Sequence, residues 1–224
     1  MRLMERDIRY IISLLENPVE SDKTEYKRAI QFQENTDFSI KLVKHILGFA
    51  NSGGGHIVIG FAEGNQDKVL QIDGALNNSI IKSYEVTRLC QYVNSILGTQ
   101  DRIDINIIKA KYGDKTFPVI YIAPFVRRPF FCKRDVMLTN GEKALEEGTI
   151  YIRVAGAQTV KVAGAGDWDK LISQCVEAEY ETFLTRAKNV LLNLRKRKEK
   201  IVKESRPLKS LSEARKSFLK KMKE

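Results

Sequence analysis

Apolar positions recur along this 224-residue chain with two different periods. From Asp37, the residues Phe38, Leu42, Val43, Ile46, Leu47 and Ala50 follow at helical spacing, which predicts a helix with Asp37 as its N-cap. Gly53-Gly54-Gly55 ends it, since glycine accepts the left-handed conformation that follows a helix C-terminus. The apolar run His56-Ile-Val-Ile-Gly-Phe61 then reads as a buried strand, with a hairpin returning through residues 69–72. Upstream, residues 5–15 predict a short amphipathic helix stopped by Asn17-Pro18, and residues 20 to about 32 an extended strand or hairpin arm. Downstream, residues 78–97 predict a second helix. Residues 103–111 and 117–124 form a hairpin turned at Gly113-Asp114, and residues 130–138 a further strand. A polar loop runs through Gly148, residues 149–154 are the last clear strand, and Gly156, Gly164 and Gly166 punctuate the exit.

Beyond Asp167 the period becomes helical and stays so. Trp168, Leu171, Ile172, Cys175, Val176, Tyr180, Phe183, Leu184, Ala187, Val190, Leu191 and Leu194 predict one helix of about 30 residues with an unbroken apolar stripe. Its first half is expected to lie across the chain's own sheet, and part of the remainder to pack on a second copy. The expected architecture is α+β: a mixed sheet with packed helices over residues 1–165, the long helix over 166–204, and a basic tail over 205–224.

Composition narrows the class. Hydrophobic content of 43% and charged content of 29% suit a domain with a proper core. No apolar run approaches the roughly 20 residues of a membrane helix. Met1-Arg-Leu-Met-Glu-Arg-Asp carries charges where a signal peptide needs its apolar stretch. Cys90, Cys132 and Cys175 are odd in number and scattered, giving neither a disulfide framework nor a C-x-x-C metal site; a reducing, cytoplasmic home is expected. The net charge is +10, but from Arg186 onward 15 Lys/Arg face 4 acidic residues, which leaves about −1 for residues 1–185. The positive charge is therefore C-terminal, either a grip on phosphates or a solvated arm.

The candidate chemistry gathers in Glu20-Ser-Asp-Lys-Thr-Glu25-Tyr-Lys27 and in Glu63, at the exit of the apolar strand. On a strand, Glu25 and Lys27 share a face while Tyr26 takes the other. Three carboxylates brought together repel one another unless a cation neutralises them. Glu20, Glu25 and Glu63 are accordingly the expected ligands of Mg²⁺ or Mn²⁺, with Lys27 stabilising charge on a phosphate; the alternative is an exposed ion pair and a turn residue. Arg127, Arg128, Lys133 and Arg134 surround Cys132 and can line a phosphate groove, and Arg153 either supports the sheet edge or touches phosphate. Arg195, Lys196, Arg197 and Lys198 open the basic zone. The triple glycine lacks the Gly-Lys-Ser/Thr ending of a P-loop. His45, expected on the helix surface, and His56 lack metal-ligand spacing, and Ser21 and Ser52 have no evident base partner.

Four blocks, in order, resemble the AlbA-like domain of Schlafen proteins over residues 16–164. They are the Glu20–Lys27 segment, Phe49-Ala-Asn-Ser-Gly-Gly-Gly-His-Ile-Val-Ile-Gly60, Pro124-Phe-Val-Arg-Arg-Pro-Phe130 and Tyr151-Ile-Arg-Val-Ala-Gly-Ala-Gln-Thr159. The resemblance implies a mixed α/β domain that works on nucleic acids. In vertebrate members it is the core of a metal-dependent ribonuclease acting on structured RNA such as tRNA; many microbial members are described as DNA-binding domains. The ribonucleases use two glutamates five residues apart, matched by Glu20 and Glu25, a lysine matched by Lys27, and a later aspartate, where this chain has Glu63. The expectation is a metal-dependent endonuclease, RNA favoured and DNA possible. A non-catalytic binding module and a regulatory or defence adaptor are the alternatives. Vertebrate relatives carry two such domains in tandem, so a homodimer is expected to recreate their clamp.

Overall fold

The computed structural model describes residues 5–64, 69–98, 102–204 and 211–222. By compactness the chain divides into a unit that runs to Ala178 and a second that begins at Glu179.

The first unit starts with helix α1 (Glu5–Glu16), strand β1 (Thr24–Lys27), helix α2 (Asp37–Ala50) and strands β2 (Gly55–Ile59), β3 (Phe61–Glu63) and β4 (Leu70–Ile72). Helices α3 (Asn78–Ser83) and α4 (Val86–Ile96) follow, then the hairpin β5 (Ile105–Tyr112) and β6 (Lys115–Ile122). Two short pairs complete it: β7 (Val136–Met137) with β8 (Lys143–Leu145), and β9 (Tyr151–Val154) with β10 (Gln158–Lys161). Helix α5 (Ala165–Glu204) begins in the first unit and continues into the second, which also holds α6 (Leu211–Lys221).

The central sheet has the order β1-β2-β6-β5, with β1 parallel to β2 and the other pairs antiparallel. It is buried on both faces, which is why β2 reads as one apolar run rather than an alternation. Ile57, Ile59, Ile120 and Ile122 pack with Leu42, Val43, Ile46 and Leu47 of α2, and residues of α3 and α4 join them. Val58, Phe117 and Val119 pack instead with Ile11, Leu14 and Leu15 of α1. The expected α+β class, mixed sheet and long C-terminal helix are all present.

Several boundaries differ from the sequence expectation, some for local reasons and some for tertiary ones. Asp37 is the first helical residue, and Thr36 is the cap, its side chain and that of Ser39 forming a reciprocal capping box. The arm at 20–32 is strand only at Thr24–Lys27, because Ser21 closes a turn onto the Thr24 carbonyl before it. The run 56–61 breaks at Gly60, whose φ of 113° is open to glycine but rare for other residues, and β3 leaves to pair with β4. The helix expected over 78–97 is two helices: Tyr84 and Glu85 are extended, and the buried Tyr84 hydroxyl donates to the Ile30 carbonyl at 2.7 Å. In the strand expected over 130–138, only Val136–Met137 pairs as strand, with lone bridges at Phe131 and Cys132. Asn51 holds that segment instead, accepting from Phe130 N–H at 2.7 Å and donating to the Phe130 and Tyr151 carbonyls. The pairs β7–β8 and β9–β10 add β8 and β10, two strands whose residues were expected as loop and exit.

Candidate functional site

β1 is an edge strand, and its alternation divides three chemically distinct side chains between two faces. Tyr26 goes toward α1, where its hydroxyl donates to the Leu14 carbonyl at 2.7 Å. Glu25 goes toward α2 and is 4% exposed. Lys27 Nζ reaches Glu25 Oε1 at 2.5 Å. From β9, Arg153 sets Nη1 2.8 Å from Glu25 Oε2, and from α2, His45 Nδ1 lies 3.6 Å from the same oxygen.

Arg153 is itself buried, and its partners fix it from four directions. Nη2 donates to the Ser21 carbonyl at 2.9 Å, the backbone N–H donates to Ser52 Oγ at 2.8 Å, Nη1 donates to Thr159 Oγ1 at 3.3 Å, and the guanidinium lies 4.5 Å above the Phe49 ring. The Glu25–Arg153 pair is held by charge rather than alignment: among the described residues neither Glu25 Oε2 nor Arg153 Nε has a hydrogen-bond partner. Thr159 of β10 completes the cluster, with Oγ1 3.4 Å from His45 Nδ1. Gly48, one turn after His45, admits it; a Cβ there would stand 2.7 Å from Thr159 Cγ2.

The cluster sets its own protonation. Burial works against a charge on Glu25, but the positive groups beside it (His45 when protonated, Lys27 and Arg153) outweigh burial and hold the carboxyl below its usual range. Burial, followed by the neighbouring Lys27, pushes His45 down to about 4 against the pull of Glu25. At neutral pH this is a carboxylate between two cations, with a neutral imidazole alongside.

Glu20 lies outside the cluster and is exposed, its Oε1 3.4 Å from the Tyr26 N–H. Burial, and then the like charge of Glu25, raises its carboxyl above the usual range. Glu63, also exposed, lines a cavity of about 350 Å³ together with Glu20, Pro18, Val19, Val69 and Leu70. The three expected acids thus divide into two: Glu20 and Glu63 on one cavity wall, and Glu25 with its oxygens turned to Lys27 and Arg153. Among the described residues no three His, Cys, Asp or Glu side chains are grouped to hold a metal ion. Of the three expected acids, Glu20 and Glu63 are the two that line one cavity.

The expected basic residues separate as well. Arg127 and Arg128, with Arg102, line a cavity of about 310 Å³ that Asp104, Phe125 and Phe130 also wall. Lys133 and Arg134 are exposed beside Cys132. Arg153, expected at a sheet edge or on phosphate, is sealed inside and serves Glu25. Arg195, Lys196, Arg197 and Lys198 are exposed on α5, where Arg195 pairs with Glu199 at 3.4 Å. Sequence reasoning missed His45, Thr159 and Arg102. His45 had a signal: it stands three residues after Leu42 and four before Phe49, on the border of the buried stripe of α2.

A family profile described as Schlafen, AlbA_2 matches residues 20–162. Among solved structures, the chain is similar to the DIP2311 protein from Corynebacterium diphtheriae at 16% identity and a TM-score of 0.44, over 74% of this chain but only 28% of that one. It is also similar to the N-terminal domain of a RecG-related protein from Nitrosomonas europaea, at 21% identity and a TM-score of 0.37, over 74% of this chain and 97% of that one. No curated protein matches the chain.

Proposed function

The chain belongs to the Schlafen AlbA_2 family, and from that premise we propose that it binds nucleic acid through the arginine-lined cavity, with the basic second unit adding grip. One observation carries this reading: Arg102, Arg127 and Arg128, separated in sequence, converge on a single opening of about 310 Å³ with one carboxylate, Asp104, among them. Guanidinium groups bind phosphate oxygens bidentately, and such contacts position a backbone without reading its sequence. The buried Glu25–Arg153–His45 cluster serves this surface indirectly, by tying β1, α2 and the β9–β10 hairpin together. The test is fluorescence anisotropy with labelled single-stranded RNA and DNA. Arg127→Ala combined with Arg128→Ala should weaken binding by at least about tenfold and flatten its salt dependence by roughly two phosphate contacts. Unchanged affinity and slope would remove the cavity from the interface.

A second reading, a Mg²⁺- or Mn²⁺-dependent endonuclease acting on RNA such as tRNA, is favoured by Glu20 and Glu63 sharing one cavity. Bound there, the ion would polarise a phosphate and a water. Lys27, whose side chain is a quarter exposed, would meet charge developing on the phosphate, and Glu25 would hold Lys27 in place. Calorimetric titration with Mn²⁺ tests this before any cleavage assay: Glu20→Ala with Glu63→Ala should abolish the heat of binding, and cleavage of labelled tRNA should fall with it. Full Mn²⁺ binding by the double variant would exclude the site. A homodimer and a preference for RNA over DNA belong to the same proposal; a regulatory or defence adaptor role is the alternative to it. Among the described residues no helix is long and apolar enough to cross a membrane.

A further inference from the structure

We infer that α5 is the contact through which two copies of this chain associate, lying antiparallel and centred near Phe183. This inference rests on the homodimer proposed above and adds to it a surface, a direction and a register.

The surface is an exposed face of α5. Leu171 is buried in the core, and Cys175 and Ala178 pack against it. On another face, Ile172, Val176, Tyr180, Phe183, Val190 and Leu194 fall within an arc of about 80° at 3.6 residues per turn. All six are exposed, Phe183 by 64% and Val176 by 63%. A continuous exposed apolar stripe of this kind marks an interaction surface.

Charge supplies the direction. Residues 165–184 carry five acidic side chains and one lysine, a balance of −4, whereas residues 185–199 carry six basic side chains and one glutamate, a balance of +5. Two parallel copies would lay −4 against −4 and +5 against +5. Two antiparallel copies lay each acidic half along the other's basic half. Five of the six stripe residues, all but Tyr180, repeat on reversal about Phe183. Ile172 meets Leu194, Val176 meets Val190, and Phe183 meets its own equivalent, as an isologous two-fold contact demands. The same register brings Lys188 within one residue of the level of Glu177 on one border of the stripe, and Arg186 within one residue of the level of Glu179 on the other.

The experiment uses the full chain. Sedimentation equilibrium should give twice the monomer mass, and Phe183→Asp should convert it to monomer with its circular dichroism retained. Glu177→Lys with Glu179→Lys should weaken self-association at least tenfold, as should Arg186→Glu with Lys188→Glu, and a mixture of the two double variants should associate again. Ile172→Cys and Leu194→Cys should cross-link under mild oxidation when mixed, beyond the background of the unsubstituted chain, and not when alone. A monomeric parent chain would end both the homodimer and this arrangement. A dimer that cross-links through Ile172→Cys alone would keep the homodimer and overturn the antiparallel register.

Discussion

Arg153 is 1% exposed and brings a guanidinium into the interior of the first unit. It stands in a Tyr-Ile-Arg block that looks like an ordinary strand, yet it neutralises Glu25, covers Phe49 and bonds the Ser21 carbonyl 132 residues away in sequence. Removing one partner of a buried ion pair leaves an uncompensated charge, so Arg153→Met should cost about 3 kcal/mol or more. Adding Glu25→Gln should return part of that loss, since the stranded charge is gone. A melting temperature within about 2 °C of the parent for Arg153→Met would contradict the assignment. The pH dependence follows from His45. Its imidazole ionises near 6.5 when unfolded and at about 4 when folded, so between those values the unfolded chain takes up a proton that the folded chain refuses. That stability is complete above pH 6.5 and is lost as pH falls through the window, by up to about 1.4 kcal/mol per pH unit for one proton. Glu25, held below its usual range, adds to the loss at the acid end. Urea midpoints of His45→Gln should change less between pH 7 and pH 5 than those of the parent.

At the scale of elements, the cluster exists because α2 and the β9–β10 hairpin approach closely, and Gly48 is what permits it. In an exposed helix, Gly→Ala would gain nearly 1 kcal/mol. Here the new methyl would meet Thr159, whose β-branched side chain is held by Arg153 and has little freedom to move. Gly48→Ala should therefore destabilise by about 1–3 kcal/mol, and Thr159→Ala in that background should reverse the sign. Thermal denaturation of the two variants decides it. Periodicity revealed α1, α2 and the β5–β6 hairpin because each buries a face whose repeat is visible locally, and α5 because its apolar stripe keeps one period although most of it is exposed. It failed at Tyr84 and at 130–138, where the deciding bonds go to Ile30 and Asn51.

Taken whole, the chain separates a nearly neutral body from a strongly basic end, and binding should show that division. Changing Arg195, Lys196, Arg197 and Lys198 together to Gln should reduce the slope of log affinity against log salt by up to about four phosphate contacts, with little effect on which strand is preferred. A parallel drop in preference, measured by anisotropy across several sequences, would mean that these side chains do more than attract. The α+β class, the mixed order of elements, the long helix and the position of the charge were all legible in the sequence, because propensity, periodicity and composition act over a few turns or strands. Which acids meet was not. Glu25 takes the distant Arg153 as a partner while Glu20 and Glu63 share a cavity, since long-range pairing is settled by how the sheet and its covering hairpin close.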